Sequence, residues 1–139
     1  MEPNASQPQA TPITPPQSKK KVLWVEDDVF ISTILVNKFI SAGFDIIHAK
    51  TAEEAIACLR KDTPDIIIVD ILLPKADGFQ VLQFIHDDQR LAKIPRMVLS
   101  NMSKPADKQR AEELGSSKFL VKPATSLEQV IDEVRKLCL

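Results

Sequence analysis

Four short apolar runs in the chain end in groups that can hold a cation or handle a phosphoryl group. Val22-Leu23-Trp24-Val25 runs into Glu26-Asp27-Asp28, and Ile66-Ile67-Ile68-Val69 runs into Asp70. Met97-Val98-Leu99 runs into Ser100-Asn101, and Lys118 to Val121 runs into Lys122-Pro123. Gathered at one rim, the carboxylates would repel one another and raise each other's pKa. Lys122 supplies one positive charge, too little to balance them. A hard divalent cation fits the remainder, because Mg²⁺ takes carboxylate oxygens and waters and leaves positions for phosphate oxygens. An aspartate beside such an ion and a lysine can attack a phosphoryl group, since both cations stabilise charge on the transferring oxygens. A hydroxyl at Ser100 can then bond a phosphoryl oxygen carried on Asp70.

The elements that must bring these groups together alternate in type. The runs at 22–25, 44–48, 66–69, 97–99 and 118–121 read as strands. The segment 66–69 is the most β-branched, so it is the best candidate for a central strand buried on both faces. Between them lie helical patterns. Residues 29 to 42 place Phe30, Ile31, Ile34, Leu35, Phe39 and Ile40 at helical spacing, with Gly43 as the stop. Thr51 and Glu54 form a capping-box pattern ahead of Ala55, Ile56 and Leu59. Asp77-Gly78 precedes a helix carrying Phe79, Val81, Leu82 and Ile85. Residues 105 to 114 make a shorter polar helix closed by Gly115, and Ser126 caps a final helix with Leu127, Val130, Ile131, Val134 and Leu137 on one face. Five strands in strict alternation with five helices predict an α/β fold: a parallel sheet with right-handed crossovers and helices on both faces. In such sheets ligands bind beyond the carboxyl ends of the strands, where the charged groups fall.

The rest of the chain narrows the function classes. Its 139 residues, 44% hydrophobic and 27% charged with a net charge of −1, suit one globular domain and carry no basic excess for direct nucleic-acid binding. No apolar run approaches the roughly 20 residues that span a bilayer, and Lys19 to Lys21 come too late, before too short an apolar run, for a secretory signal. Residues 1–18 hold five prolines among Gln, Ser, Thr and Asn and read as a disordered tail, leaving 19–139 as the domain. Cys58 and Cys138 lack metal-ligand spacing and read as reduced thiols of a cytoplasmic protein.

The ordered set of strand-end motifs resembles the receiver domain of two-component response regulators. The matching pieces are Glu26-Asp27, Asp70, the loop residues Pro74 and Gly78, Ser100, and Lys122-Pro123, over residues 20 to 138. The resemblance implies a (βα)5 flavodoxin-like, doubly wound sheet of order 2-1-3-4-5. It implies that Asp70 takes a phosphoryl group from a sensor histidine kinase or a histidine phosphotransfer protein. It assigns Mg²⁺ to Asp27 directly, to Glu26 through water and to the backbone carbonyl of Leu72. Lys122 would pair with the phosphoryl group, the Lys122–Pro123 peptide would be cis, and Ser100 and Phe119 would be the switch residues. Such a protein is a signalling switch rather than an enzyme, with protein contacts around the fourth helix, fifth strand and fifth helix, and it works as a monomer or a phosphorylation-dependent dimer.

Some positions depart from the commonest family pattern. Asn101 stands where a small residue usually follows the switch hydroxyl, and Phe119 lacks the hydroxyl of the frequent tyrosine. Leu72 and Met102 are apolar at the two variable positions that tune hydrolysis of the acyl phosphate. Neither can position a water, so a long-lived phosphorylated state is expected. A haloacid-dehalogenase-type phosphatase would need a second Asp where Leu72 stands. A pseudo-receiver that takes no phosphate would not need the full set of Glu26, Asp27, Asp70, Ser100 and Lys122. A receiver fragment of a larger regulator is the remaining alternative. Asp28 reads as the cap of the first helix, Trp24 as core, His48 and His86 as solvated, and Lys104, Lys108 and Arg110 as a solvated basic face.

Overall fold

The computed structural model describes residues 19–73, 77–101, 104–122 and 125–138. The strands are β1 (Lys21–Val25), β2 (Asp45–Ala49), β3 (Ile66–Val69), β4 (Arg96–Ser100) and β5 (Lys118–Val121). The helices are α1 (Val29–Ser41), α2 (Ala52–Lys61), α3 (Gly78–Asp87), α4 (Pro105–Glu113) and α5 (Leu127–Cys138). All strand pairs are parallel, in the order β2-β1-β3-β4-β5. This is the 2-1-3-4-5 arrangement expected from the motifs, with the Ile-rich strand at its centre.

Side chains alternate across the sheet and build two cores. Leu23, Val25, Ile67, Val69 and Val98 point to one face, where Ala55 and Leu59 of α2, Leu82 and Ile85 of α3 and Ala111 of α4 cover them. Val22, Trp24, Ile66, Ile68, Met97 and Leu99 point to the other, covered by Leu35 and Phe39 of α1 and Val130, Ile131 and Val134 of α5. All four residues of β3 are fully buried, and each such side chain contributes about 2–3 kcal/mol of apolar burial. The pleat therefore uses both sides of one strand, which explains an uninterrupted apolar run rather than an alternating one.

Caps set the helix starts. Asp28 accepts from the Ile31 N–H at 3.1 Å, Thr51 from Glu54 N–H at 3.0 Å, and Asp77 from Phe79 N–H at 3.1 Å. At Gly78 a Cβ would lie 2.3 Å from the carbonyl oxygen of Asp70, so only glycine lets α3 start this close to the end of β3. Trp24 is core, as expected, and its indole N–H donates to the buried Ser32 hydroxyl at 3.1 Å.

Several element boundaries differ from the sequence reading. The second strand runs 45–49 rather than 44–48, because Phe44 turns inward against Phe39, with ring centroids 5.3 Å apart. The fourth strand begins at Arg96 and ends at Ser100. The helices expected over 29–42 and 105–114 end one residue earlier. No described helix is long and apolar enough to cross a membrane.

Candidate phosphorylation and metal site

Strand register delivers the charged groups to one rim. The Glu26 N–H continues the β1–β2 ladder to the Ala49 carbonyl at 3.0 Å, and the Asp70 N–H continues the β3–β1 ladder to the Val25 carbonyl at 2.9 Å. The two acids thus stand side by side, each one residue past its strand. Ser100 pairs in register with Val121, which places the buried end of β4 beside Lys122.

Glu26 is 1% exposed and Asp70 3%, whereas Asp27 is exposed. One carboxylate oxygen from each of the three lies within 4.8 Å of the others, a spacing that suits one cation. The donor set is all oxygen, which matches Mg²⁺ chemistry. Lys122 donates to Glu26 Oε1 and, at 3.0 Å, to Asp70 Oδ2. The other Asp70 oxygen accepts from the Leu72 N–H at 2.9 Å. Glu26 also accepts from the Asp28 N–H at 3.2 Å. Asp28 itself caps α1 and lies outside the carboxylate group, as its position before the helix implied.

This charge balance perturbs the titrating groups. Burial pushes the Glu26 carboxyl up to about 7; Lys122 works against that shift and neighbouring Asp70 adds to it. Burial pulls the Lys122 ammonium down, but its hydrogen bonds with Glu26 and Asp70 outweigh burial and leave it raised. One ammonium therefore stabilises two buried carboxylates incompletely, and a divalent cation would supply the missing charge.

Other sequence readings meet the structure unevenly. His48 is not a solvated bystander. It is half-buried, and its Nε2–H donates to the Glu26 carbonyl at 2.7 Å, an orientation required because the carbonyl can only accept. The edge strand β2 thus braces the backbone of the acidic pair, a cross-strand contact that a lone histidine in a strand pattern does not reveal. His86 is exposed, as expected. Lys108 and Arg110 do more than face solvent: the Lys108 ammonium lies 5.9 Å from the Phe119 ring centroid, and the Arg110 guanidinium 4.1 Å from that of Phe79. Phe119 is half-buried against the α2–α3–α4 side of the core. Leu72 is 46% exposed beside Asp70, at the mouth of a cleft of about 550 Å³ that Asp27, Lys104 and Arg110 also border. Pro74, Met102 and Pro123, and with the last the expected cis peptide, lie outside the described residues.

Fold and rim together describe a phosphorylation-dependent signalling module rather than a conventional enzyme. The family model of the response regulator receiver domain matches residues 22–135, and the chain belongs to that family. Among curated relatives, "Probable transcriptional regulator ycf27" of Guillardia theta is 34% identical over 81% of this chain and 43% of its own length. The DNA-binding dual master transcriptional regulator RpaA of Synechocystis is 32% identical over 84% of this chain and 48% of its own. The chain therefore spans less than half the length of these relatives. Among solved structures, Vibrio cholerae chemotaxis protein CheY4 is 26% identical with a TM-score of 0.80, covering 86% of this chain and 98% of that one. The receiver domain of Francisella response regulator 1452 is 28% identical with a TM-score of 0.78, covering 86% and 96%.

Proposed function

We propose that Asp70 accepts a phosphoryl group from a phosphohistidine on a sensor histidine kinase or histidine phosphotransfer protein. The observation that carries this reading is the rim itself: two buried carboxylates and an exposed third within reach of one cation, with Lys122 bridging Glu26 and Asp70. Asp27 and Glu26 would hold Mg²⁺, with Asp70 and the Leu72 carbonyl completing the protein's share. When bound, the ion supplies positive charge beside the transferring oxygens.

The chain's own groups do the rest. The Leu72 N–H and the Lys122 ammonium each hold one oxygen of Asp70, which fixes the carboxylate for attack on phosphorus. The Asp70 oxygen forms the new P–O bond as the P–N bond to histidine breaks, and the proton-bearing imidazole leaves. Lys122 then faces the phosphoryl oxygens, and the Ser100 hydroxyl bonds to one of them. That contact favours one conformation of β4, α4 and Phe119, and the protein signals as far as the new contacts favour it.

Exposed, apolar Leu72 offers no group to orient a water, and we assign the phosphorylated state a long lifetime on that ground, with Met102 as the second apolar position. The domain is taken as residues 19–139, with 1–18 as its tail. The reading is tested by incubating the protein with a small acyl phosphate and Mg²⁺ and recording intact mass. A gain of one phosphoryl group in the wild type and none in Asp70→Asn is expected. No gain, or equal gain in both, would sink it.

A further inference from the structure

A second feature of the surface lies away from the phosphoacceptor. Between α2, α3 and α4 runs an open groove of about 500 Å³. Ile56 and Phe84, both half-buried, give it an apolar floor, and Gln80 and Gln83 are exposed along α3. Two arginines border it, each with its guanidinium over a phenyl ring. The Arg60 guanidinium lies 5.6 Å from the Phe84 centroid, and that of Arg110 lies 4.1 Å from the Phe79 centroid.

The charges of this groove are not equally engaged. Asp77 caps α3 through the Phe79 N–H, and both oxygens of Asp87 accept from the Gln83 amide at 3.0 Å. Arg60 and Arg110 form no ion pair or side-chain hydrogen bond among the described residues. Contrast Arg90, whose guanidinium is tied to the Leu59 and Asp62 carbonyls. A guanidinium placed over an aromatic face still has N–H groups to donate to a carboxylate. Two of them flanking an apolar floor match an acidic segment with an apolar residue between its carboxylates.

We propose that this groove docks an acidic segment of a partner protein, with carboxylates on Arg60 and Arg110 and an apolar side chain on Ile56 and Phe84. The groove shares Asp77, Phe79 and Arg110 with the cleft that opens beside Asp27 and Leu72. Occupancy of the groove is therefore placed to respond to the state of the rim, and any such coupling acts equally in both directions.

The test titrates the isotope-labelled full chain with a synthetic peptide of alternating Glu and Leu, read by amide and arginine side-chain NMR. Peptides of alternating Lys and Leu, Glu alone, and inorganic phosphate serve as comparators. Shifts confined to α2, α3 and the last turn of α4, strongest with the Glu/Leu peptide and weakened about tenfold in Arg60→Gln/Arg110→Gln, are expected. Absence of binding, shifts centred on another face, equal binding by the double variant, or equal response to inorganic phosphate would overturn the proposal. Arg60→Gln alone should still gain one phosphoryl group from a small donor, which shows that the variant is folded and separates this test from that of Asp70.

Discussion

Charge is buried at both ends of the sheet, in opposite ways. At the amino end of β4, Arg96 is 3% exposed and, among the described residues, donates only to carbonyls: Ile94, Leu114 at 3.0 Å and Ala92 at 2.6 Å. Its cation is satisfied by neutral dipoles, and it ties the end of α4 to the sheet. Gly115, at φ +89°, makes room for it, since a Cβ there would lie 2.2 Å from Nη1. At the carboxyl end, Glu26 and Asp70 share one ammonium, and Asp27 adds a third negative charge. The first arrangement is complete without a ligand. The second leaves negative charge uncompensated and would be stabilised by an added cation, and an arrangement of that kind responds to a ligand.

Breaking the complete end should cost most. Arg96→Met leaves the Leu114 and Ala92 carbonyls without their donor, so a loss of about 2–4 kcal/mol is expected in urea unfolding. Phosphorylation from a small donor should survive under conditions where the variant remains folded. A loss below about 0.5 kcal/mol would mean that the guanidinium contributes little to the fold.

The incomplete end should behave with the opposite sign. Folded Glu26 keeps its proton up to about pH 7, against an ordinary carboxyl value of 4.5. Between those values the folded chain binds the extra proton, so without a divalent cation stability falls as pH rises through the window and levels off above it. Glu26→Gln should flatten that profile and gain on the order of 1–3 kcal/mol at about pH 8, by the size of the shift. A steeper profile in the variant would contradict the burial argument. Millimolar Mg²⁺ at the same pH should stabilise the wild type by roughly 1–3 kcal/mol and Asp27→Asn by clearly less, as differential scanning calorimetry would show.

The smallest expected effect is kinetic. Leu72→Gln places an amide beside Asp70 that can orient water, and the phosphoryl half-life should shorten by roughly tenfold. An unchanged half-life would remove Leu72 from the account of lifetime.

The comparison also shows what a one-dimensional reading can reach. The acidic pair, Asp70, Ser100 and Lys122 are legible because each follows an apolar run, and a parallel sheet sends all such ends to one side. The Asp28, Thr51 and Ser126 caps are local in sequence, and each forms its side-chain bond to a nearby helical N–H. Arg96 is not legible, because a charged residue after Pro95 reads as the edge of a strand. Its partners Leu114 and Gly115 lie 18 or more positions away and meet it only when α4 packs. His48 is hidden for the same reason: its bond to Glu26 crosses from the edge strand to its neighbour, 22 positions earlier. The rings under Arg60 and Arg110 likewise belong to another helix. Periodicity reports which face a side chain takes, and tertiary packing decides which distant group it meets there.

The central claim is that Asp70 is the residue the overcharged rim serves. Borohydride reduces an aspartyl phosphate to homoserine, so the protein can be phosphorylated with a small acyl phosphate and Mg²⁺, reduced, digested and mapped by tandem mass spectrometry. The account predicts homoserine at position 70 and at no other aspartate, dependent on Mg²⁺. Homoserine at Asp27 or Asp28, or none anywhere in protein that has gained phosphoryl mass, would contradict it.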